Sequence, residues 1–378
     1  MDAVKRIISI DALRGFVIIL MTLDHVREIF YSMPIYDPIP ENAGVDLYAT
    51  RWITHLCAPV FVFLAGLSVY LQQELAHYAK PTIQRMLIKR GCFLILVEFI
   101  VISFFWDVGF DNHPYLLEAQ VIWAIGCAMI FLALVLYAPF WLMAVIGFGI
   151  VLAHNLTDYF HSDSLIWYVF VKSHRFHLTA HLDFLTTYPL LPWFGIIVLG
   201  FVAGRWFFLR EANLVLNLRL ISILAIVGLF VGIMLRLTTH YGDPFAWHAV
   251  SSIPRTLMSL FNVEKYPPSL DYLLFTLPFG LLFLCLAEKN EKSRWVTLLN
   301  VFGQVPFFYY VAHLGLLAAL NHLVGFIVSG HWQRFETGSL LSVWLMSLGV
   351  ILVLYWPCKR FSLLKQQKKT VWPILQYL

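Results

Sequence analysis

Charge is scarce in this sequence. Asp, Glu, Lys and Arg make up 13% of its 378 residues, while 60% are hydrophobic and the mean hydropathy is +0.76. A soluble domain carries about twice that share of charge, so an ordinary water-soluble fold is excluded and a bilayer is the expected solvent. Cysteine is sparse too. Cys57, Cys92, Cys127, Cys285 and Cys358 are odd in number and far apart. That spacing excludes a disulfide framework and a zinc cluster, and it leaves small apolar fillers. Basic tracts are missing: the formal charge is only +4 and the cations are scattered in short segments, so no nucleic-acid partner is expected. No small-residue cleavage site follows the first apolar run, which argues against a cleavable signal. No charge-rich linker or internal repeat divides the chain, and a single transmembrane domain over 1–378 is expected.

What is abundant is apolar runs of spanning length. They cover about 13–31, 52–72, 88–106, 117–136, 139–154, 186–207, 219–239, 270–287, 300–328 and 339–357. They lack the alternation of barrel strands, so each reads as a helix that pairs its backbone internally. The ninth is long enough to be broken or tilted. The expected fold is an all-α integral membrane bundle of about ten transmembrane helices. Orientation follows from the cations. With the N-terminus inside, 17 of the 26 Lys and Arg fall in inner segments, 6 in the longer outer loops and 3 within spans. Such a bias puts both termini in the cytoplasm (N-in/C-in). The segments 155–185 and 240–269, rich in His, Trp, Tyr and Pro, read as caps over the outer end. Within the first lies Asn155-Leu156-Thr157, an N-glycosylation pattern.

The first span, "ALRGFVIILMTLDHVREIF" (12–30), carries Arg14, Asp24, His25, Arg27 and Glu28. Ionisable groups inside a bilayer cost several kcal/mol and ordinarily face a cavity or a partner. Arg14 and His25 are eleven residues apart, about three turns and about 16 Å along one helix face. A fixed cation at the inner rim suits a phosphate, and histidine is the natural base near neutral pH. A long, thin ligand with an anionic head and a reactive tip fits that pair. Coenzyme A has this shape, so acetyl-CoA or another acyl-CoA is the expected donor, with no metal. Asp24 and Glu28 can orient His25 or tie the helix to its neighbours. His55 opens the second span at similar depth. Arg85, Lys89 and Arg90 precede the third span on the inner side and could join Arg14 on the phosphates, or simply fix topology.

These residues carry a resemblance. "SIDALRGFVIILMTLDH" (Ser9–His25) is similar to the first helix of the transmembrane acyltransferase superfamily. In its acyltransferase family three, which O-acylates sugars, a basic residue precedes an essential histidine by about the Arg14–His25 spacing. "DALRG", "DHVR" and "RWITHLCAPVFVFLAG" (Arg51–Gly66) resemble more closely the heparan-alpha-glucosaminide N-acetyltransferase catalytic-domain family, in its bacterial members. The resemblance implies transfer of an acyl group from a cytoplasmic donor to an amine or hydroxyl of an outward-facing sugar or glycan. It also implies a bacterial inner (cell) membrane location. Lysosomal members carry a proposed catalytic histidine in the first luminal loop. Here that loop, "YSMPIYDPIPENAGVDLYATRW", has none, so the role falls to His25 or His55, with His25 preferred as a general base on the acceptor.

Other residues admit further readings. Glu98 sits mid-span, and with Asp24 and His25 it could form the relay of a proton-coupled transporter, the alternative function. His313, in "YYVAHLGLL", could line a cavity or simply pack. His174, His177 and His181 would align on one face of a helix and suggest an interfacial helix or an acceptor cap rather than a metal site. Lipid is the obvious surrounding partner, and a homo-oligomer is compatible with the sequence.

Overall fold

The computed structural model describes residues 7–32, 43–75, 77–110, 114–208, 214–250 and 252–368. Each expected span overlaps a helix. Among the described residues, seven helical runs are long and apolar enough to cross a membrane: Val45–Glu74, Lys80–Val108, Phe140–Tyr159, Asn217–Thr238, Leu270–Lys289, Pro306–Ser329 and Leu340–Lys365. Val121–Val135 and Leu190–Trp206 are apolar but shorter. The protein is thus an integral membrane, largely helical bundle.

α1 (Ile8–Phe30) lies at the heart of the bundle, with 17 of its 23 residues buried. It packs against α2 (Val45–Thr54), α3 (Cys57–Leu75), α12 (Leu270–Lys289), α13 (Arg294–Gly303), α14 (Pro306–Ser329) and α15 (Leu340–Lys368). Its charges therefore meet protein rather than lipid, which is how a bilayer helix tolerates them. The second expected span is broken at His55 into α2 and α3, and the ninth is broken at Gln304–Val305 into α13 and α14. By contrast α10 (Leu214–Thr238) and α15 turn large apolar side chains such as Ile226, Phe230, Leu345 and Leu352 outward, the pattern of lipid-facing helices.

An all-α fold is not the outcome. β1 (Tyr115–Glu118), β2 (Arg175–Thr179) and β3 (Leu182–Leu185) form a small mixed sheet, with β3 central, parallel to β1 and antiparallel to β2. The strands are four or five residues long and sit between apolar helices, so hydropathy alone absorbs them into neighbouring spans. The sheet also replaces the interfacial helix expected around the three histidines. His177 lies on β2 beside Asp183, His174 stacks on Tyr168, and His181 occupies the connecting turn, so no common helix face exists. Hydrogen bonds from His177 and Arg175 hold the Asp183 carboxyl below its usual range, against burial, which alone would raise it. The glycosylation pattern at Asn155 is likewise turned inward: its side chain is buried, accepts Leu270 N–H at 2.8 Å and anchors the start of α12.

Close helix approach sets the frame. A Cβ on Gly303 would stand 1.6 Å from the Asp11 carbonyl oxygen, and one on Gly15 would stand 1.9 Å from that of Leu299. α1 and α13 thus touch backbone to backbone, as small residues permit in membranes. Gly303→Ala is expected to destabilise the detergent-solubilised protein by about 1–3 kcal/mol or more. Gly349→Ala on α15, where nothing lies within 4 Å, leaves the melting temperature unchanged. Equal melting of the two variants would refute this packing.

Candidate active site

The C-terminal half of α1 borders a cavity of about 250 Å³. Asp24, His25 and Glu28 form one wall, and Cys57 and Trp106 stand beside them. Met21, Ala58 and Phe61 face it from the side toward Arg14. The cap contributes Glu118 and Gln120 from the end of β1, Thr187 and Tyr188 from the segment after β3, and Lys265 and Tyr266 from the loop before α12. The cavity is therefore walled by helices on one side and, on the other, by the end of β1, the segment after β3 and the loop before α12.

The imidazole of His25 is held by an oriented chain. His25 Nδ1 lies 2.7 Å from His313 Nε2, and His313 Nδ1 lies 3.0 Å from the Tyr309 carbonyl oxygen. A carbonyl only accepts, so His313 carries its proton on Nδ1 and must accept at Nε2. His25 then donates from Nδ1, and its Nε2 keeps an unprotonated lone pair. Trp106 meets the His25 ring edge to face at 5.1 Å, and Tyr310 does so at 6.0 Å, so the ring cannot turn freely. This one-nitrogen-tethered arrangement is how a histidine is prepared as a base. His313 is fully buried on α14, 288 residues along the chain; sequence reasoning raised it only as one of two equal readings.

Asp24 faces the other way and gathers cations. Arg27 Nη2 donates to its Oδ1 at 2.6 Å, Arg51 Nη1 at 3.0 Å and Thr54 Oγ1 at 2.9 Å; Lys265 Nζ reaches Oδ2 at 3.4 Å. Glu28 contributes a second carboxylate at 3.2 Å from Arg27 and 3.7 Å from Arg51. One buried carboxylate thus joins α1, α2 and the cap loop. Buried ions survive only when so paired. That loop is itself pinned by Arg236, which donates to the carbonyls of Phe245, Leu260 and Asn262, and by Asp243, which accepts Glu264 N–H at 2.8 Å. On the opposite side of the cavity, Glu118 accepts from Thr187 and from Gln120 Nε2.

Five of the candidate residues, His55, Arg14, Arg85, Lys89 and Arg90, are not among those that line this cavity. His55 is buried at the α2–α3 break, donates to the Arg51 carbonyl at 2.9 Å and packs on Tyr272, 5.4 Å between ring centres. It is not among the lining residues, so of the two candidate bases His25 alone stands at the cavity. Arg85 and Lys89 are exposed on α4 (Lys80–Val97), as expected of residues that fix topology. Arg90, on the same helix, comes within Coulombic reach of Arg14. Arg14 itself binds Asp11 at 2.6 Å and also Ser68. It lies near the other end of α1 and is not among the residues that line the cavity. The stripe between Arg14 and His25 holds the buried Ile18 and Met21. Glu98 also stands apart. It sits in a short π-helical turn, Glu98–Ile102, and accepts Trp123 N–H at 2.8 Å, capping α6 (Val121–Val135). The transporter relay of Asp24, His25 and Glu98 is therefore not assembled around this cavity.

A family profile described as heparan-alpha-glucosaminide N-acetyltransferase, catalytic, matches residues 6–233. The chain belongs to that family. The family is one of membrane acetyltransferases, consistent with an acyl-CoA donor. The matched stretch holds Arg14, Asp24, His25, Glu28, Trp106 and Glu118 but ends before Lys265 and His313. No individual curated protein matches the chain. Among the described residues no three His, Cys, Asp or Glu side chains gather as a metal site.

Removing the shared carboxylate charge should unsettle the whole assembly. Asp24→Asn is expected to cost about 3–5 kcal/mol of stability, the usual penalty for stranding buried partner charges. Because the cluster is buried, raising ionic strength should alter the loss little. Thermal unfolding of the two proteins in detergent at low and high salt checks both points.

Proposed function

We propose that this acetyltransferase moves an acetyl, or other acyl, group from acyl-CoA to an amine or hydroxyl of a sugar or glycan held in the cavity, with His25 as general base. The observation that carries the reading is the Tyr309–His313–His25 chain, which leaves His25 Nε2 as a free acceptor beside the cavity. The chemistry is direct transfer. His25 Nε2 takes the proton from the acceptor N–H or O–H as that atom bonds the acyl carbon. The C–S bond then breaks, and the coenzyme A thiolate leaves and recovers the proton from the imidazolium. His313 is a positioning residue: it fixes the tautomer and is itself held by the Tyr309 carbonyl.

The donor's phosphates are assigned to Arg14, with Arg90 in Coulombic reach, so that two guanidiniums face one anionic head. The arm of the donor then runs along α1 past Ile18 and Met21, whose side chains must part to admit it. Positive-inside bias puts this end in the cytoplasm and the cap outside. The full reading is ten spans, both termini cytoplasmic, one domain over 1–378 and residence in a bacterial inner membrane, with lipid around it. The polar lining by Glu118, Gln120 and Thr187, set among Trp106, Tyr188 and Tyr266, has the mixture of hydrogen-bonding groups and aromatic faces that sugars require.

Thiol release from acetyl-CoA by the reconstituted protein, with D-glucosamine as acceptor, tests the reading. His25→Ala is expected to lose about 10²–10⁴-fold in rate, the usual contribution of general base catalysis, while melting as a folded protein. His313→Ala should lose most of the same rate, and His313→Gln, whose amide oxygen can still accept from Nδ1, should recover part of it. Arg14→Ala should raise KM for acetyl-CoA about tenfold or more, the worth of one charge-assisted hydrogen bond. Wild-type turnover in His25→Ala would overturn the assignment.

A further inference from the structure

The base chemistry leaves one cavity side chain without a task. Lys265 is 3% exposed, yet its ammonium borders the cavity. Its contacts are Asp24 Oδ2 at 3.4 Å and the face of Tyr266, 4.9 Å to the ring centre. Of the three cations on Asp24 it has the longest closest approach: Arg27 and Arg51 hold Oδ1 at 2.6 and 3.0 Å, and Arg51 also shares Oδ2 with Lys265 at 3.4 Å. An ammonium has three N–H donors, and one long contact to a shared carboxylate leaves most of that capacity unspent. The other carboxylates of the cavity are engaged elsewhere: Glu118 by Thr187 and Gln120, Glu28 by Arg27 and Arg51.

A buried cation that its protein neighbours satisfy poorly, facing an open cavity, is matched by an anion from the ligand. The placement is built rather than incidental. Asp243 holds the preceding backbone N–H of Glu264, Lys265 pairs with Pro268 in an isolated bridge, and Ser269 N–H returns to the Glu264 carbonyl. The Arg236 contacts secure the rest of the loop.

We propose that Lys265 binds an anionic group, phosphate or carboxylate, carried by the acceptor, so that the cavity selects acidic sugars over neutral ones. Lys265 is thereby a specificity-determining residue, on the same cavity as His25 and not part of the proton transfer. Calling the ligand an acceptor rests on the acetyltransferase reading; the anion-binding property does not.

The experiment is direct binding to the purified full-length protein in detergent, by calorimetry, of D-glucosamine, D-glucosamine 6-phosphate and muramic acid. At least one acidic sugar is expected to bind about tenfold or more tightly than D-glucosamine, as one charge-assisted hydrogen bond would provide. Lys265→Gln should erase that preference, and Lys265→Arg should keep much of it. Equal affinities for all three sugars in the wild type, or a preference that survives in Lys265→Gln, would overturn the proposal. So would a fall in kcat for Lys265→Gln with neutral and acidic sugars alike while the binding preference stays, since the ammonium would then serve the reacting carbonyl. The binding readout needs no turnover. An intact, Lys265-dependent preference without acetyl transfer would refute the acetyltransferase reading and leave this one standing.

Discussion

The carboxylate of Asp24 is the point on which the site depends. It is buried in the middle of the protein and is met by cations from its own helix, from α2 and from the cap loop. Ions taken out of water persist only if their partners are present and well oriented, so the three pieces of chain must dock together or not at all. His25 occupies the next position along α1. Since adjacent residues on a helix point about 100° apart, clamping Asp24 in one direction fixes His25 in another, toward α14 and His313. The electrostatic knot and the tethered imidazole are two outcomes of one helical turn.

The tether is directional because it ends on a carbonyl. Two histidines alone could exchange tautomers, each taking the donor's part in turn. The Tyr309 carbonyl removes that freedom, and the direction passes through His313 to the atom that meets the cavity. Thr22 and Tyr309, linked at 2.7 Å, hold the same two helices together a turn away. α1 and α14 are thus locked by hydrogen bonds where apolar packing would leave them free to slide.

Much of this was legible in the sequence, and the limits have physical causes. Apolar runs betray bilayer helices because lipid leaves the backbone few alternatives, and the charges on α1 betrayed a cavity because lipid would not admit them. Arg14 and His25 stand three turns apart on α1, and their side chains meet different partners, Ser68 on α3 and His313 on α14. Between them lie Ile18 and Met21, whose burial depends on packing from other helices that the sequence of α1 alone does not reveal. For a similar reason the sequence leaves His313 between two readings and does not single out Lys265. Each is a single polar residue in an unremarkable context, and its importance comes from neighbours hundreds of residues away. The sheet was missed because four-residue strands beside apolar helices have no periodicity of their own. Glu98 looked like a functional ion by depth alone, but its carboxylate answers the open N–H groups at the start of α6.

The packed layer around Ile18 has a consequence for the host cell. In the proposed reaction the donor arrives from one compartment and the acceptor from the other, which puts such a protein at risk of becoming a leak. Ile18 is wholly buried and shares an apolar cluster with Met21, so hydrocarbon side chains occupy this face of α1 between the arginine end and the imidazole. In that reaction the electrochemical gradient would be guarded by apolar side chains such as Ile18 and Met21, which the slim, neutral arm of the donor would have to part.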